Sequence, residues 1–280
     1  MSNKPTSKFP TLEGASATFP ASGILLVTIN RPAQRNSIPS KLHWQLHALF
    51  HWFDNEPSLN VAVITGEGDK SFCAGQDLIE LGKRDPSKAR DEPWLGIHPS
   101  TGFAGISRRL GKKPIIAAVN GFALGGGFEI VLNCDMVVAA PEATFGLPEA
   151  LRGIYAAAGG LPRLVRNVGM PIASEIAMTG RTLTAQEALQ YQLINKVSKS
   201  RSSVVDEAIE LAKKISNLSP DAVIVTRLAL REAWENSSVE RAFQLADERL
   251  KEKLHSGENA REGLAAFAQK RKPNWTPSKL

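Results

Sequence analysis

Short, mostly apolar runs recur through the first half of this chain, each followed by a helical or glycine-rich stretch, and that alternation limits the fold more than any other feature. The runs are Ile24–Ile29, Val61–Thr65, Ile115–Val119 and Asp135–Ala140. Residue pattern predicts a helix over about Pro39–Asn55 between the first two and a shorter one near Gly105–Leu110 before the third. Strands alternating with helices in this way imply an α/β architecture. From about Ser202 the character becomes helical, with breaks expected at Ser219-Pro220, Asn236-Ser237 and Gly257. The chain therefore divides into an extension (1–20), a core (21–200), a C-terminal helical segment (201–272) and a tail (273–280).

At 280 residues and 42% hydrophobic content, a substantial core can be buried. The first residues lack the apolar stretch of a signal peptide, and no segment has the length of a membrane span, so a soluble protein is expected. Net charge is +6, which favours polyanionic partners in a general way or simply aids solubility. There is no zinc-finger spacing, no RNA-recognition signature and no dense basic run interleaved with aromatics, so nucleic acid is not the expected partner. The glycine run lacks the third glycine of a dinucleotide fingerprint, and neither a P-loop lysine nor a G-x-S-x-G elbow is present. Nicotinamide, ATP and serine-hydrolase chemistry are thereby disfavoured.

Cys73 and Cys134 have no CxxC or metal spacing, which suits a reducing compartment, and Cys73 reads as a small buried thiol rather than a nucleophile. His43, His47 and His51 are spaced to share one side of the first helix. No carboxylate completes a metal set and Trp44 and Trp52 adjoin them, so a surface or subunit-contact face is expected and no metal.

The residues that speak to chemistry are Glu129, closing Gly125-Gly126-Gly127-Phe128-Glu129, and Glu149, closing Phe145-Gly146-Leu147-Pro148-Glu149. A carboxylate pair suits the splitting of a water molecule across a substrate, one group taking a proton and the other giving one. Singly, each is equally a structural acid at a helix start. Upstream, Ser71–Leu78 passes from a strand through small residues to a helix start, with Asp77 and Glu80 spaced like a capping box. Small residues there let backbone N–H groups approach a ligand, and the triple-glycine run does the same before Phe128–Leu132. Two converging N–H donors beside two carboxylates describe an oxyanion hole with acid/base machinery, as needed when a thioester carbonyl becomes an enolate.

From roughly Ile24 to Trp275 the chain resembles the crotonase, or enoyl-CoA hydratase/isomerase, superfamily. The resemblance is carried by Asn30-Arg31-Pro32 with Asn36-Ser37, Phe72–Leu78, Pro114–Gly121, Ala123–Gly127, Phe145–Glu149, Ala158-Gly159-Gly160 and Arg163-Leu164. It implies a spiral of ββα units with a C-terminal helical trimerisation segment, commonly a trimer paired into a hexamer. It implies an acyl-CoA substrate, no cofactor beyond the coenzyme A of that substrate, and oxyanion-hole N–H groups on Gln76 and Gly126. Glu129 and Glu149 would hold the water, Glu149 protonating the α-carbon, to give a 3-hydroxyacyl-CoA. Coenzyme A would meet Arg35, Ala74, Gln76, Asp77, Leu78 and Lys270, with Arg31 a further phosphate partner. A Δ3,Δ2-enoyl-CoA isomerase would need only Glu149, and a non-catalytic CoA- or RNA-binding relative would turn Glu129 away from the pocket.

Two further expectations concern substrate and address. Where many such hydratases carry Pro-Gly-Ala-Gly-Gly-Thr-Gln-Arg, this chain has Tyr155-Ala156-Ala157-Ala158-Gly159-Gly160-Leu161-Pro162-Arg163, similar to relatives acting on branched or functionalised acyl groups, including carnitinyl-CoA dehydratase-like proteins. The proline-bearing stretch between Gly82 and Gly102 reads as a mobile loop over the acyl site. The terminal Ser278-Lys279-Leu280 is a peroxisomal address for an import receptor, kept extended and accessible by Pro273 and Pro277.

Overall fold

The computed structural model describes residues 5–83 and 97–280. Strands β1 (Ala15–Ala21) and β2 (Gly23–Ile29) form an antiparallel hairpin. Parallel to β2 run β3 (Leu59–Gly66), β5 (Ile115–Val119), β7 (Met136–Ala139) and β10 (Lys196–Val197), completing a six-stranded sheet in the order β1-β2-β3-β5-β7-β10. The central strands are nearly continuous apolar runs, as strands buried on both faces must be. A second, smaller sheet holds β4 (Ser71–Cys73), β6 (Phe122–Leu124), β8 (Thr144–Gly146) and β9 (Thr182–Thr184) in that order, parallel but for β8 and β9.

Helix α1 (Ser40–Asn55) follows β2 and buries Leu42, Leu46, Leu49, Phe50 and Phe53 in the core. Thereafter the chain repeats one unit: β3, β4 and α2 (Leu78–Gly82), then β5, β6 and α3 (Gly126–Val131), then β7, β8 and α4 (Gly160–Thr179). Each turn adds one strand to each sheet, which is the ββα spiral. The C-terminal ends of β4, β6 and β8 are therefore neighbours, and Gln76, Gly126 and Glu149 follow those ends by two or three residues.

After α5 (Ala185–Gln190), the helices α6 (Val204–Ser216), α7 (Pro220–Glu235), α8 (Val239–Ser256) and α9 (Glu258–Ala268) break at the expected places. Ser219 and Ser238 cap α7 and α8, each hydroxyl accepting a backbone N–H from the first turn. Among the described residues no helix is long and apolar enough to cross a membrane.

Several expectations need correction. Gly105–Leu110 is not a helix: a short 3-10 turn spans Phe103–Gly105 and irregular turns follow. Ser107 explains it, since its hydroxyl accepts from the Phe103 N–H at 2.7 Å and donates to the Ala158 carbonyl at 2.7 Å, competing with helical backbone pairing. The Asp77/Glu80 capping box is only half formed. Asp77 accepts from the Glu80 N–H, but Glu80 turns to Ser40, accepting from its N–H at 2.7 Å and its hydroxyl at 2.9 Å, because the Asp77 N–H is already taken by the Ile38 carbonyl. The histidines do not share a surface: His43 is fully buried, His47 bonds Thr101 at 2.8 Å, and His51 is exposed. The loop expected over the acyl site lies mainly in 84–96, outside the described residues.

The tail is extended, as its prolines dictate, and none of its residues is buried, yet hydrogen bonds tie it down. An extended segment leaves backbone groups seeking partners, and Asn259 accepts from the Thr276 N–H at 2.9 Å and donates to its carbonyl at 3.0 Å. Ser278 bonds Asp221, Lys279 pairs with Glu258 at 2.7 Å, and Lys112 donates to the Leu280 carbonyl at 3.0 Å.

The helical segment is pinned to the core through Asp135, at the start of β7. Its carboxylate receives the Ile115 N–H at 2.9 Å, Arg227 at 3.0 Å and Arg231 at 2.9 Å. Burial opposes its ionisation, but the two guanidiniums of α7 outweigh that and hold it below the usual carboxylate range. Removing the carboxylate takes the counter-charge from both arginines, so Asp135→Ala should cost about 3–5 kcal/mol in urea denaturation. A loss of only about 0–1 kcal/mol, the range of an exposed pair, would show that α7 docks through its apolar contacts and the arginine bonds to Leu110, Gly111 and Asn133 without needing the carboxylate.

Candidate active site

At the aligned strand ends lies a cavity of about 390 Å³. Its backbone donors come from two glycine turns in contact with each other. Gly75 has φ 94°, and a Cβ there would stand 3.1 Å from the Leu124 carbonyl oxygen and 3.3 Å from the Gly126 nitrogen, so both conformation and space require glycine. Ile38 brackets Gln76: its N–H goes to the Gly75 carbonyl at 2.9 Å, and its carbonyl accepts from Asp77 at 3.1 Å. Successive N–H groups along an extended chain point opposite ways. The Gln76 N–H thus faces away from Ile38, on the cavity side. Gly126 opens α3, where an N–H has no intrahelical acceptor. Both residues line the cavity.

The carboxylates line it too. Glu129, one turn into α3, is 3% exposed, and its Oε1 accepts the N–H groups of Ala158 at 2.9 Å and Gly160 at 2.8 Å. That approach depends on Gly160, where a Cβ would fall 2.6 Å from the Glu129 side chain. Burial raises the Glu129 pKa, while the Gly160 and Ala158 N–H groups and then Arg163 favour the charged form, leaving a net upward direction. Glu149 has no comparable cradle. Burial pushes it up to about 7, eased by a backbone N–H bond and reinforced by the charge of Glu129, and its buried Oε2 has no hydrogen-bond partner among the described residues. One group is thus a fixed acceptor and the other a proton holder near neutrality, two environments separating two like groups. Glu129 is turned into the cavity, opposite to what a non-catalytic relative would show.

Of the residues expected at coenzyme A, Ala74, Gln76 and Leu78 line the cavity. Asp77 instead caps α2 and pairs with Arg31 at 3.0 Å, so Arg31 is committed internally rather than offered to phosphate. Arg35 is exposed next to the cavity wall, its carbonyl accepting the Ala74 N–H at 3.1 Å. Lys270, past the end of α9, does not line the cavity. Cys73 is fully buried and burial pushes its thiol up to about 12, in keeping with a packing role. No cluster of three His, Cys, Asp or Glu able to hold a metal occurs among the described residues. Sequence reasoning missed His43, His98 and Phe103 around the Gln76 side chain; the i, i+4 spacing of His43 was visible, but not which way it faces. A larger cavity of about 750 Å³ lies between core and α7, but its acid, Asp135, is neutralised by arginines and no carboxylate pair exists there.

Residues 20–278 match the family described as enoyl-CoA hydratase/isomerase. The chain is 47% identical over 275 residues to the mevalonyl-coenzyme A hydratase sidH of Aspergillus fumigatus, covering 98% of this chain and 99% of that one. It is 39% identical over 257 residues to the carnitinyl-CoA dehydratase of Proteus mirabilis, covering 90% and 94%. The crystal structure of enoyl-CoA hydratase from Mycobacterium tuberculosis superposes with a TM-score of 0.84 at 34% identity, covering 95% and 99%.

If the charge of Glu129 helps raise Glu149, then Glu129→Gln should lower the Glu149 pKa from about 7. A carbon-13 titration of the Glu149 carboxyl, followed by NMR in both proteins, reads this directly. An unchanged or higher midpoint in the variant would mean that Glu129 is itself protonated where Glu149 titrates.

Proposed function

The chain belongs to the enoyl-CoA hydratase/isomerase family, and from that premise we propose that it is a hydro-lyase acting on the CoA thioester of a branched, hydroxyl-bearing acyl group of the mevalonyl type. The observation that supports the reaction most directly is the meeting of Glu129, Glu149 and the N–H groups of Gln76 and Gly126 at one cavity. In the hydration direction the thioester oxygen accepts from both N–H groups, which stabilise the enolate; one such donor is worth roughly 10²–10³-fold in rate. Glu129, held by Ala158 and Gly160, takes a proton from water as hydroxide bonds to the β-carbon. Glu149, partly protonated at neutral pH and more so below it, delivers its proton to the α-carbon. Dehydration runs the same steps backwards: Glu149 takes the α-proton and Glu129 protonates the departing hydroxyl.

The substrate class draws on the similarity to the Aspergillus fumigatus protein, whose mevalonyl group has a methyl branch, a hydroxyl on the β-carbon and another at the far end of the chain. It draws also on the wall beyond the carboxylates, where Tyr155, Ala157 and Ala158 belong to the segment that departs from the common hydratase pattern. An isomerase moves one proton between two carbons and has no use for a second buried carboxylate, whereas addition of water uses both.

Leu230, Phe243 and Phe267 on the helical segment are 68%, 60% and 86% exposed, which suits burial against other copies in a trimer, paired into a hexamer. The peroxisome remains the proposed location, the import receptor taking the terminal tripeptide once it leaves Asp221 and Glu258.

Glu129→Gln and Glu149→Gln should each lower hydration by about 10²–10⁴-fold while retaining CoA-ester binding, measured by loss of enoyl absorbance and by calorimetry. Normal hydration by Glu129→Gln would show that Glu149 alone suffices and would overturn the two-carboxylate mechanism. For location, a fluorescent protein fused to the N-terminus should mark puncta with the full chain and spread through the cytosol once Ser278–Leu280 are removed. Unchanged puncta would place the address elsewhere.

A further inference from the structure

The side chain of Gln76 belongs to a partly buried polar cluster that the hydration steps leave unused. His43, on α1 and fully buried, accepts the Ala104 N–H through Nδ1 at 3.0 Å. An amide N–H can only donate, so Nδ1 is unprotonated and the proton of the neutral ring is on Nε2. Burial, followed by the neighbouring His98, lowers His43 to about 3, which keeps the ring neutral. Nε2–H therefore donates to Gln76 Oε1 at 2.8 Å, and this fixes which end of the carboxamide is oxygen. His98 Nε2 lies 3.2 Å from the same oxygen, also as a donor, which leaves His98 Nδ1 as an acceptor. Gln76 Nε2, buried, has no partner among the described residues. A buried amide donor left unmade is costly, and such groups in folded proteins call for a ligand or water.

Gln76, His98 and Phe103 all line the acyl cavity. We propose that Gln76 and His98 form a subsite for a hydroxyl carried on the acyl chain beyond the reacting carbons, Gln76 Nε2 donating to its oxygen and His98 Nδ1 accepting its proton. A hydroxyl is the group that both gives and takes a hydrogen bond; a carboxylate only accepts and a quaternary ammonium does neither. The cluster carries no formal charge to attract either ion. Phe103, its ring centred 4.4 Å from His43 and 5.5 Å from His98, supplies the apolar wall for the adjoining methylenes. This inference rests on the reading of the substrate as a hydroxylated acyl-CoA.

The test compares two enoyl-CoA thioesters that differ only in a distal hydroxyl, in the native protein, in Gln76→Met and in His98→Phe, with circular dichroism confirming the fold. The quantity read is the ratio of kcat/KM for the hydroxylated over the deoxy substrate, which cancels general damage to the oxyanion hole. The native protein should prefer the hydroxyl by about 10- to 100-fold, with each variant bringing the ratio close to unity. Equal losses on both substrates, or no native preference, would overturn the subsite. Calorimetry with the corresponding saturated, unreactive acyl-CoA pair provides a reading independent of turnover. A native binding preference for the hydroxyl that vanishes in Gln76→Met supports the subsite even if neither enoyl-CoA is hydrated, the outcome that would remove the hydratase reading; equal binding of the pair removes the subsite and leaves hydration standing.

Discussion

Parallel pairing of β4, β6 and β8 is the constraint from which the rest follows. Cys73 stands opposite Ala123, and Ala123 opposite Phe145, so three segments far apart in sequence end at one level. The spiral path makes this unavoidable, because each ββα turn must lay its second strand beside the last. Ligand sites in parallel sheets gather at the carboxyl ends of strands for this reason. Here the small sheet delivers Gln76, Gly126 and Glu149, and α3 places Glu129 one turn further in.

Alignment brings the groups together, but packing differentiates them. Glu129 and Glu149 are the same residue type in one cavity, yet one carboxylate is fixed by two N–H donors from the start of α4 and the other has a buried oxygen without a partner. Burial is the largest influence on both, and the two N–H donors on Glu129 against a single backbone N–H on Glu149 set their environments apart. The same cavity wall connects to α1 through His43, whose two nitrogens link Ala104 to the Gln76 carboxamide. Phe103 completes the connection, since its ring occupies the space where a side chain at Gly126 would be. The segments of both candidate N–H donors, Gln76 and Gly126, are therefore braced by the one stretch around Phe103 and Ala104.

By itself the sequence determined what depends on local chemistry and on order along the chain. Apolar runs made the strands, prolines and serines ended the C-terminal helices where expected, and the glycine-rich turns marked segments that line one cavity with Glu129 and Glu149. What it could not carry was the direction in which a side chain with several possible partners turns. Arg31 was a free cation in sequence and became half of a pair with Asp77; Glu80 left its expected cap for Ser40; Ser107 dissolved a short helix. His43 faced the core rather than solvent, and the tail prolines secured an extended segment without saying that Asn259 and Asp221 would hold it. Each of these was decided by competition among polar groups brought within about 3 Å by the tertiary fold. Such bonds are short in reach and the competing partners lie tens of residues away, so only the folded chain, where desolvation penalises every group left unpaired, selects among them.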